Sequence, residues 1–114
     1  MNVVIWHNPR CSKSRQTLAL LEEQGVTPEV RLYLDDAPSA AELRAVLELL
    51  GVGAGDLVRK GEAAFKDESL TKASSDEDLL AAMVRVPKLI ERPVVFANGK
   101  AAIGRPPEAV LAIL

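Results

Sequence analysis

Val3-Val4-Ile5-Trp6-His7-Asn8-Pro9-Arg10-Cys11-Ser12-Lys13-Ser14-Arg15 sets the reading of the whole chain. Its apolar start reads as a buried strand, Val3 to His7. Its end opens a helical pattern over Ser14 to Gln24, with Leu18, Leu20 and Leu21 on one face. The strand ends on the only histidine of the chain, His7, and the only cysteine, Cys11, lies between strand and helix. A thiol between a strand end and a helix start meets oriented backbone N–H groups and the positive helix end. Both favour the thiolate, which is the nucleophile. The same place suits a bound oxyanion. Cysteine is also a common core residue. However, Asn8, Pro9, Arg10, Ser12, Lys13 and Ser14 are poor core neighbours, so the sulfur is expected to face water or a cleft.

Outward from this segment, Gly25 stands where a helix end favours a left-handed residue. Val30 to Leu34 alternates in polarity and reads as a second strand. The resulting strand–helix–strand unit implies parallel pairing. After a turn at Asp35 to Pro38, Ser39 and Glu42 form a capping box, and Leu43, Val46, Leu47 and Leu50 carry a helix to Gly51. Within Val52 to Ser74, short helical turns are expected at Asp56 to Arg59 and Glu62 to Lys66. Ser74 with Glu77 offers a second capping box. It precedes a helix marked by Leu79, Leu80, Met83 and Val86, which Pro87 must end. The polar stretch Thr71 to Asp78 is expected to be exposed.

Pro93 to Ala97, Asn98-Gly99 and Lys100 to Gly104 form a hairpin signal, because Asn-Gly suits the positive φ angles of a two-residue type I′ turn. Pro106-Pro107 can open a last helix over Glu108 to Leu114. A βαβ unit, a helical insertion and a ββα unit give a thioredoxin-like order. The fold class is therefore α/β (α+β), with a four-stranded mixed sheet and flanking helices, in a single domain over residues 1–114.

The 114 residues fit one compact domain. Hydrophobic residues at 48% and charged residues at 26% give an ordinary globular balance. A net charge of −2 argues against a nucleic-acid surface. One cysteine rules out an internal disulfide, and one Cys with one His falls short of a zinc ligand set. No signal-peptide pattern opens the chain, and no apolar run reaches the roughly 18 residues that span a bilayer. A cytoplasmic protein without membrane contact is expected, since a free thiol survives in that reducing compartment.

The spacing Cys11-x-x-Ser14 puts a hydroxyl one helical turn from the sulfur, where it could donate to a thiolate; an N-cap serine is the equal alternative. His7, if cationic, would lower the thiol pKa; otherwise it is a strand-end histidine bonded to backbone. With Ser14 in the place of a second cysteine, an oxidised Cys11 must be resolved by an outside thiol, with glutathione or a glutaredoxin-type protein as the natural candidate. A phosphatase loop of the Cys-x5-Arg type would need arginine at position 17, which is Thr17. Arg92 and Arg105 both precede prolines, which biases them to extended backbone at strand ends. Arg59 follows a short helical turn.

With these residues the chain resembles the glutaredoxin-coupled arsenate reductases of the thioredoxin fold and their short bacterial relatives (the ArsC-like family). The likeness rests on His7-Asn8-Pro9-Arg10-Cys11-Ser12-Lys13-Ser14-Arg15, Leu57-Val58-Arg59-Lys60, Arg92-Pro93-Val94-Val95 and Gly104-Arg105-Pro106-Pro107-Glu108. These occur in order over almost the whole chain. The resemblance implies Cys11 as the nucleophile towards arsenate. Arg59, Arg92 and Arg105 would bind the oxyanion, and His7 and Ser14 would tune the thiol. It further implies a cis bond at Arg92-Pro93, glutathione as co-substrate with no bound cofactor or metal, glutaredoxin as partner, and a monomer. Two features depart from the usual pattern. Ser12-Lys13 stands where Gly-Thr is common, adding a cation near the sulfur, and the chain stops at Leu114.

Two other functions fit the same residues. One is a monothiol enzyme acting on another oxyanion or on a glutathionylated substrate. The other is a regulator that binds RNA polymerase, or a binding module of this fold. Regulators of this kind sense oxidation through Cys-x-x-Cys, a switch that Ser14 removes.

Overall fold

A computed structural model describes residues 2–114 of the chain. The elements run β1 (Val4–Trp6), α1 (Ser12–Glu23), β2 (Glu29–Arg31), α2 (Ala40–Leu50), α3 (Ala63–Asp67), α4 (Asp76–Arg85), β3 (Val94–Ala97) and β4 (Lys100–Ile103). Short 3₁₀ helices lie at Ala54–Asp56, Pro87–Leu89 and Pro107–Ile113. The chain divides into two compact units. One holds the residues up to Asp36 together with Arg92–Leu114; the other is Ala37–Glu91.

The first unit carries a four-stranded mixed sheet in the order β2-β1-β3-β4. β1 pairs parallel with β2, Ile5 opposite Val30, as the strand–helix–strand reading requires. It pairs antiparallel with β3, Ile5 opposite Val95. Asn98 and Gly99 take φ of 54° and 72°, the left-handed values of a type I′ turn, and close the β3–β4 hairpin. Strand alternation puts Val3, Ile5, Val95 and Ala97 in one cluster with Leu21 of α1 and with Val110 and Ile113. This cluster joins α1, the sheet and the C-terminal segment into one core. On β1 and β3 the rings of Trp6 and Phe96 lie 5.1 Å apart, and Arg31 stands 5.4 Å over Trp6.

The second unit is helical. Ser39 Oγ accepts from the Glu42 N–H and Glu42 Oε1 accepts from the Ser39 N–H, so the capping box is complete. Gly51 ends α2 at φ 70°. Leu43 and Val46 of α2 and Leu79, Leu80, Ala82 and Met83 of α4 are buried.

Some boundaries differ from expectation. β2 ends at Arg31 rather than Leu34, because the Leu32 carbonyl accepts from the N–H groups of Asp35 and Asp36 and starts a turn. The cap of α4 is Ser75, which accepts from the Asp78 N–H at 3.2 Å. Ser74 instead accepts from the Thr71 N–H at 2.9 Å, so the cap expected at Ser74 is displaced by one residue, to Ser75. The last segment is a 3₁₀ helix rather than an α-helix: its buried residues Pro107, Val110 and Ile113 recur every three residues, the period of a 3₁₀ turn. Among the described residues no helix is long and apolar enough to cross a membrane.

Candidate active site

Cys11 is the N-cap of α1, with φ −93° and ψ 123°. The helix thus begins at Ser12, two residues before the start read from the sequence. A tight loop delivers the cysteine there. The Asn8 side-chain oxygen accepts from the Arg10 N–H at 3.0 Å, the Cys11 N–H donates to the Asn8 carbonyl at 3.0 Å, and Arg15 Nη1 donates to the Pro9 carbonyl at 2.8 Å. Pro9 fits this loop because it needs no N–H partner.

Of the two settings expected for the sulfur, water or a cleft, open water is excluded: Cys11 is only 8% exposed. Its surroundings are nonetheless polar. Burial pushes the thiol pKa up, but the Ser14 N–H, the Arg92 guanidinium and the Lys13 N–H act on the sulfur in the opposite direction. The net result is a thiol below its ordinary value of 9.0. Amides of a helix first turn and a cation stabilise the thiolate.

Ser14 is fully buried, and its hydroxyl is occupied. Oγ lies 2.6 Å from His7 Nδ1 and accepts from the Asn8 N–H at 3.0 Å. Its bond to the sulfur is made by its backbone N–H. It is therefore neither the helix cap nor a hydroxyl donor to the thiolate. His7 is buried, and its pKa is lowered by that burial and by the charge of Arg15. At neutral pH it is an uncharged imidazole holding Ser14, not the cation weighed from the sequence.

Arg92 precedes β3 and Arg105 follows β4, so antiparallel pairing returns the two to the same end of the hairpin. The Gly104 N–H donates to the Pro93 carbonyl at 2.9 Å, and Arg105 Nη1 donates to the Arg92 carbonyl at 3.2 Å. The Arg92-Pro93 and Arg105-Pro106 bonds are both cis. Cys11, His7, Ser14, Arg92 and Arg105 thus belong to one unit. Arg59 belongs to the other. There Arg59 Nη1 lies 3.0 Å from Glu62 Oε2 and donates to the Lys88 carbonyl at 3.1 Å, while its N–H donates to the Leu89 carbonyl at 2.7 Å. Among the described residues no group of three or more His, Cys, Asp or Glu is placed to hold a metal ion.

Sequence reasoning passed over two residues of this unit. Thr17, noted only because a phosphatase loop would need arginine in its place, is fully buried and donates to the Lys13 carbonyl at 2.8 Å. Gly104, read as the hairpin's end and as part of the motif before Arg105 but given no role of its own, packs against it. The signal for both was a small residue directly before an arginine and a mid-helix threonine on the cysteine's helix.

Known proteins of similar sequence and shape bear on this arrangement. The family model described as the ArsC family matches residues 6–113. A protein of Escherichia coli strain K12, the uncharacterized protein YfgD, is 57% identical, over 98% of this chain and 96% of its own. An arsenate reductase of Neisseria meningitidis serogroup A is 46% identical, over 98% of this chain and 97% of its own. A solved structure, the arsenate reductase from Vibrio cholerae, superposes with a TM-score of 0.96 at 52% identity, over 100% of this chain and 98% of its own. With a family match over nearly its whole length and full-length relatives at this identity, the chain belongs to the ArsC family, on a thioredoxin-like fold.

Proposed function

We propose that the chain is a thiol-dependent oxidoreductase that reduces arsenate to arsenite, with Cys11 as nucleophile, glutathione as co-substrate and glutaredoxin as the protein that restores the thiol. The observation that carries this reading is the N-cap position of Cys11, where the amides of Ser14 and Lys13 and the Arg92 guanidinium all favour the thiolate. A tetrahedral oxyanion suits the same elements, since helix N-terminal amides and planar guanidinium forks both match its oxygens. Arg92 and Arg105 would bind it, and the family resemblance adds Arg59.

In the first step the Cys11 thiolate attacks arsenic. A sulfur–arsenic bond forms, an arsenic–oxygen bond breaks, and the oxygen leaves as water after taking up protons; arsenic stays pentavalent. The thiolate of glutathione then attacks the adduct at the Cys11 sulfur. A disulfide forms, and the sulfur–arsenic pair of electrons passes to arsenic, which leaves as trivalent arsenite. The two sulfurs supply the two electrons. Glutaredoxin exchanges its own thiolate onto the glutathione sulfur and frees Cys11. A single cysteine with Ser14 one turn on requires such an outside thiol. The protein would work as a monomeric single domain in the cytoplasm, where that thiol pool is available.

Arsenate-dependent oxidation of glutathione, measured with glutaredoxin present, tests the reading. Wild type should turn over, and Cys11→Ser should fall to background. An inactive wild type that still forms a glutathione mixed disulfide at Cys11 would replace arsenate by another oxyanion or a glutathionylated substrate.

A further inference from the structure

Gly104 is buried between the end of β4 and Arg105. A Cβ placed on it would stand 2.5 Å from Thr17 Oγ1, 2.7 Å from Pro93 Cγ and 3.1 Å from Thr17 Cγ2. Carbon side chains do not approach this closely without displacing their neighbours. Neither neighbour is free to yield. Thr17 is fully buried in α1, with its hydroxyl bonded to the Lys13 carbonyl. Pro93 is a ring closed onto the backbone, and its carbonyl accepts the Gly104 N–H.

These contacts link the parts of the site that come from distant sequence. Thr17 lies on the helix whose N-cap is Cys11. Pro93 follows Arg92, and Gly104 precedes Arg105. The Arg105 guanidinium closes the group by donating to the Arg92 carbonyl.

We propose that Gly104 is a positioning residue: by lacking a side chain it lets β4 seat on Thr17 and Pro93, and this seating fixes Arg92 and Arg105 relative to Cys11. For arsenate the consequence rests on the reading of these arginines as oxyanion ligands given above. For the thiol it rests on the seating of Gly104 against Thr17 and Pro93, which border Cys11's helix and Arg92, and on the Arg92 guanidinium favouring the thiolate.

The test is Gly104→Ala with two readouts, on protein shown to be folded by circular dichroism. The first is arsenate kinetics. A loss of roughly tenfold to 100-fold in kcat/KM is expected, carried mainly by KM, the size that a displacement near 1 Å produces. The second is the pH midpoint of Cys11 alkylation by iodoacetamide, which should rise towards that of Arg92→Ala. Thr17→Ala removes two of the three crowding atoms, so Gly104→Ala/Thr17→Ala should recover part of both losses relative to Gly104→Ala. If Gly104→Ala is too unstable to purify, the double variant is compared with Thr17→Ala, and the crowding left by Pro93 should still raise KM and the midpoint. A folded Gly104→Ala with wild-type KM and midpoint overturns the proposal. A lowered Tm with an unmoved midpoint does so too, since that is a structural role only. If wild type does not reduce arsenate, the substrate reading fails, and the alkylation midpoint still decides the role of Gly104.

Discussion

The two units of this chain are held by different physics. Residues 37–91 form helices stabilised within short spans of sequence: a complete capping box at Ser39, a serine cap at Ser75, and a left-handed Gly51. Its ion pairs include Arg44 with Glu77 at 2.7 Å, both largely exposed and so contributing little. The other unit is assembled from segments far apart in the chain. β1 joins β3 across most of the sequence, and α1 packs with the C-terminal 3₁₀ helix. It holds Cys11, Arg92 and Arg105, whereas Arg59 lies in the helical unit. A thiol that must be ionised yet shielded needs partners brought from several elements, and a sheet with a covering helix provides them. Local helices do not.

Substitutions can break this contrast, and arginine replacement should have the largest effect. Arg92→Ala should lower kcat/KM for arsenate by roughly 100-fold to 1000-fold, the loss that follows removal of one oxyanion donor, and should raise the alkylation midpoint of Cys11. Arg59→Ala should lower kcat/KM and leave that midpoint in place. Equal midpoint shifts would erase the distinction between the units.

Core truncation sharpens the contrast. Leu21 and Leu43 are both fully buried, one in each unit. Each change to alanine should cost about 3 kcal/mol in denaturant unfolding. Only Leu21→Ala, on the helix that carries Cys11, should also alter the alkylation rate at fixed pH.

A smaller effect is expected from Ser39→Ala, which removes the capping box of α2. The loss should be about 1 kcal/mol of stability, with arsenate kinetics unchanged.

The smallest effect is a slope with pH. Burial and Arg15 lower the His7 pKa, so the unfolded chain takes up a proton that the folded chain refuses. Stability from this source is complete above the ordinary histidine value of 6.5. It declines as the pH falls from there towards the lower folded value. Tm measured at descending pH should drop over that window, and His7→Gln should flatten the drop.

Much of this architecture was readable before any coordinates. α2 was legible to the residue because its start and stop signals are local. The hairpin was legible because Asn98-Gly99 admits few other conformations. α4 slipped by one residue because Ser74 and Ser75 are both competent caps, with Glu77 and Asp78 three residues on; only the bond from the Thr71 N–H to Ser74 separates them. The 3₁₀ pitch of Pro107–Ile113 was written in the spacing of Pro107, Val110 and Ile113, but a proline start suggested an α-helix instead. In the candidate site, the place of Cys11 at a helix start and of Arg92 and Arg105 at strand ends was legible. The roles within it were less so. The Ser14 hydroxyl serves His7 and Asn8 while its amide serves the sulfur, and residue types do not distinguish the two.

Local chemistry along the chain was enough to establish the order of strands and helices and the single thiol at a helix start, because each depends on neighbours within a few residues. The burial of Cys11, the uncharged state of His7 and the close seating of Gly104 on Thr17 and Pro93 depend on groups that meet only when β1, β3, β4 and α1 pack. Desolvation and steric exclusion are properties of that packed neighbourhood, so they became visible only in the folded chain.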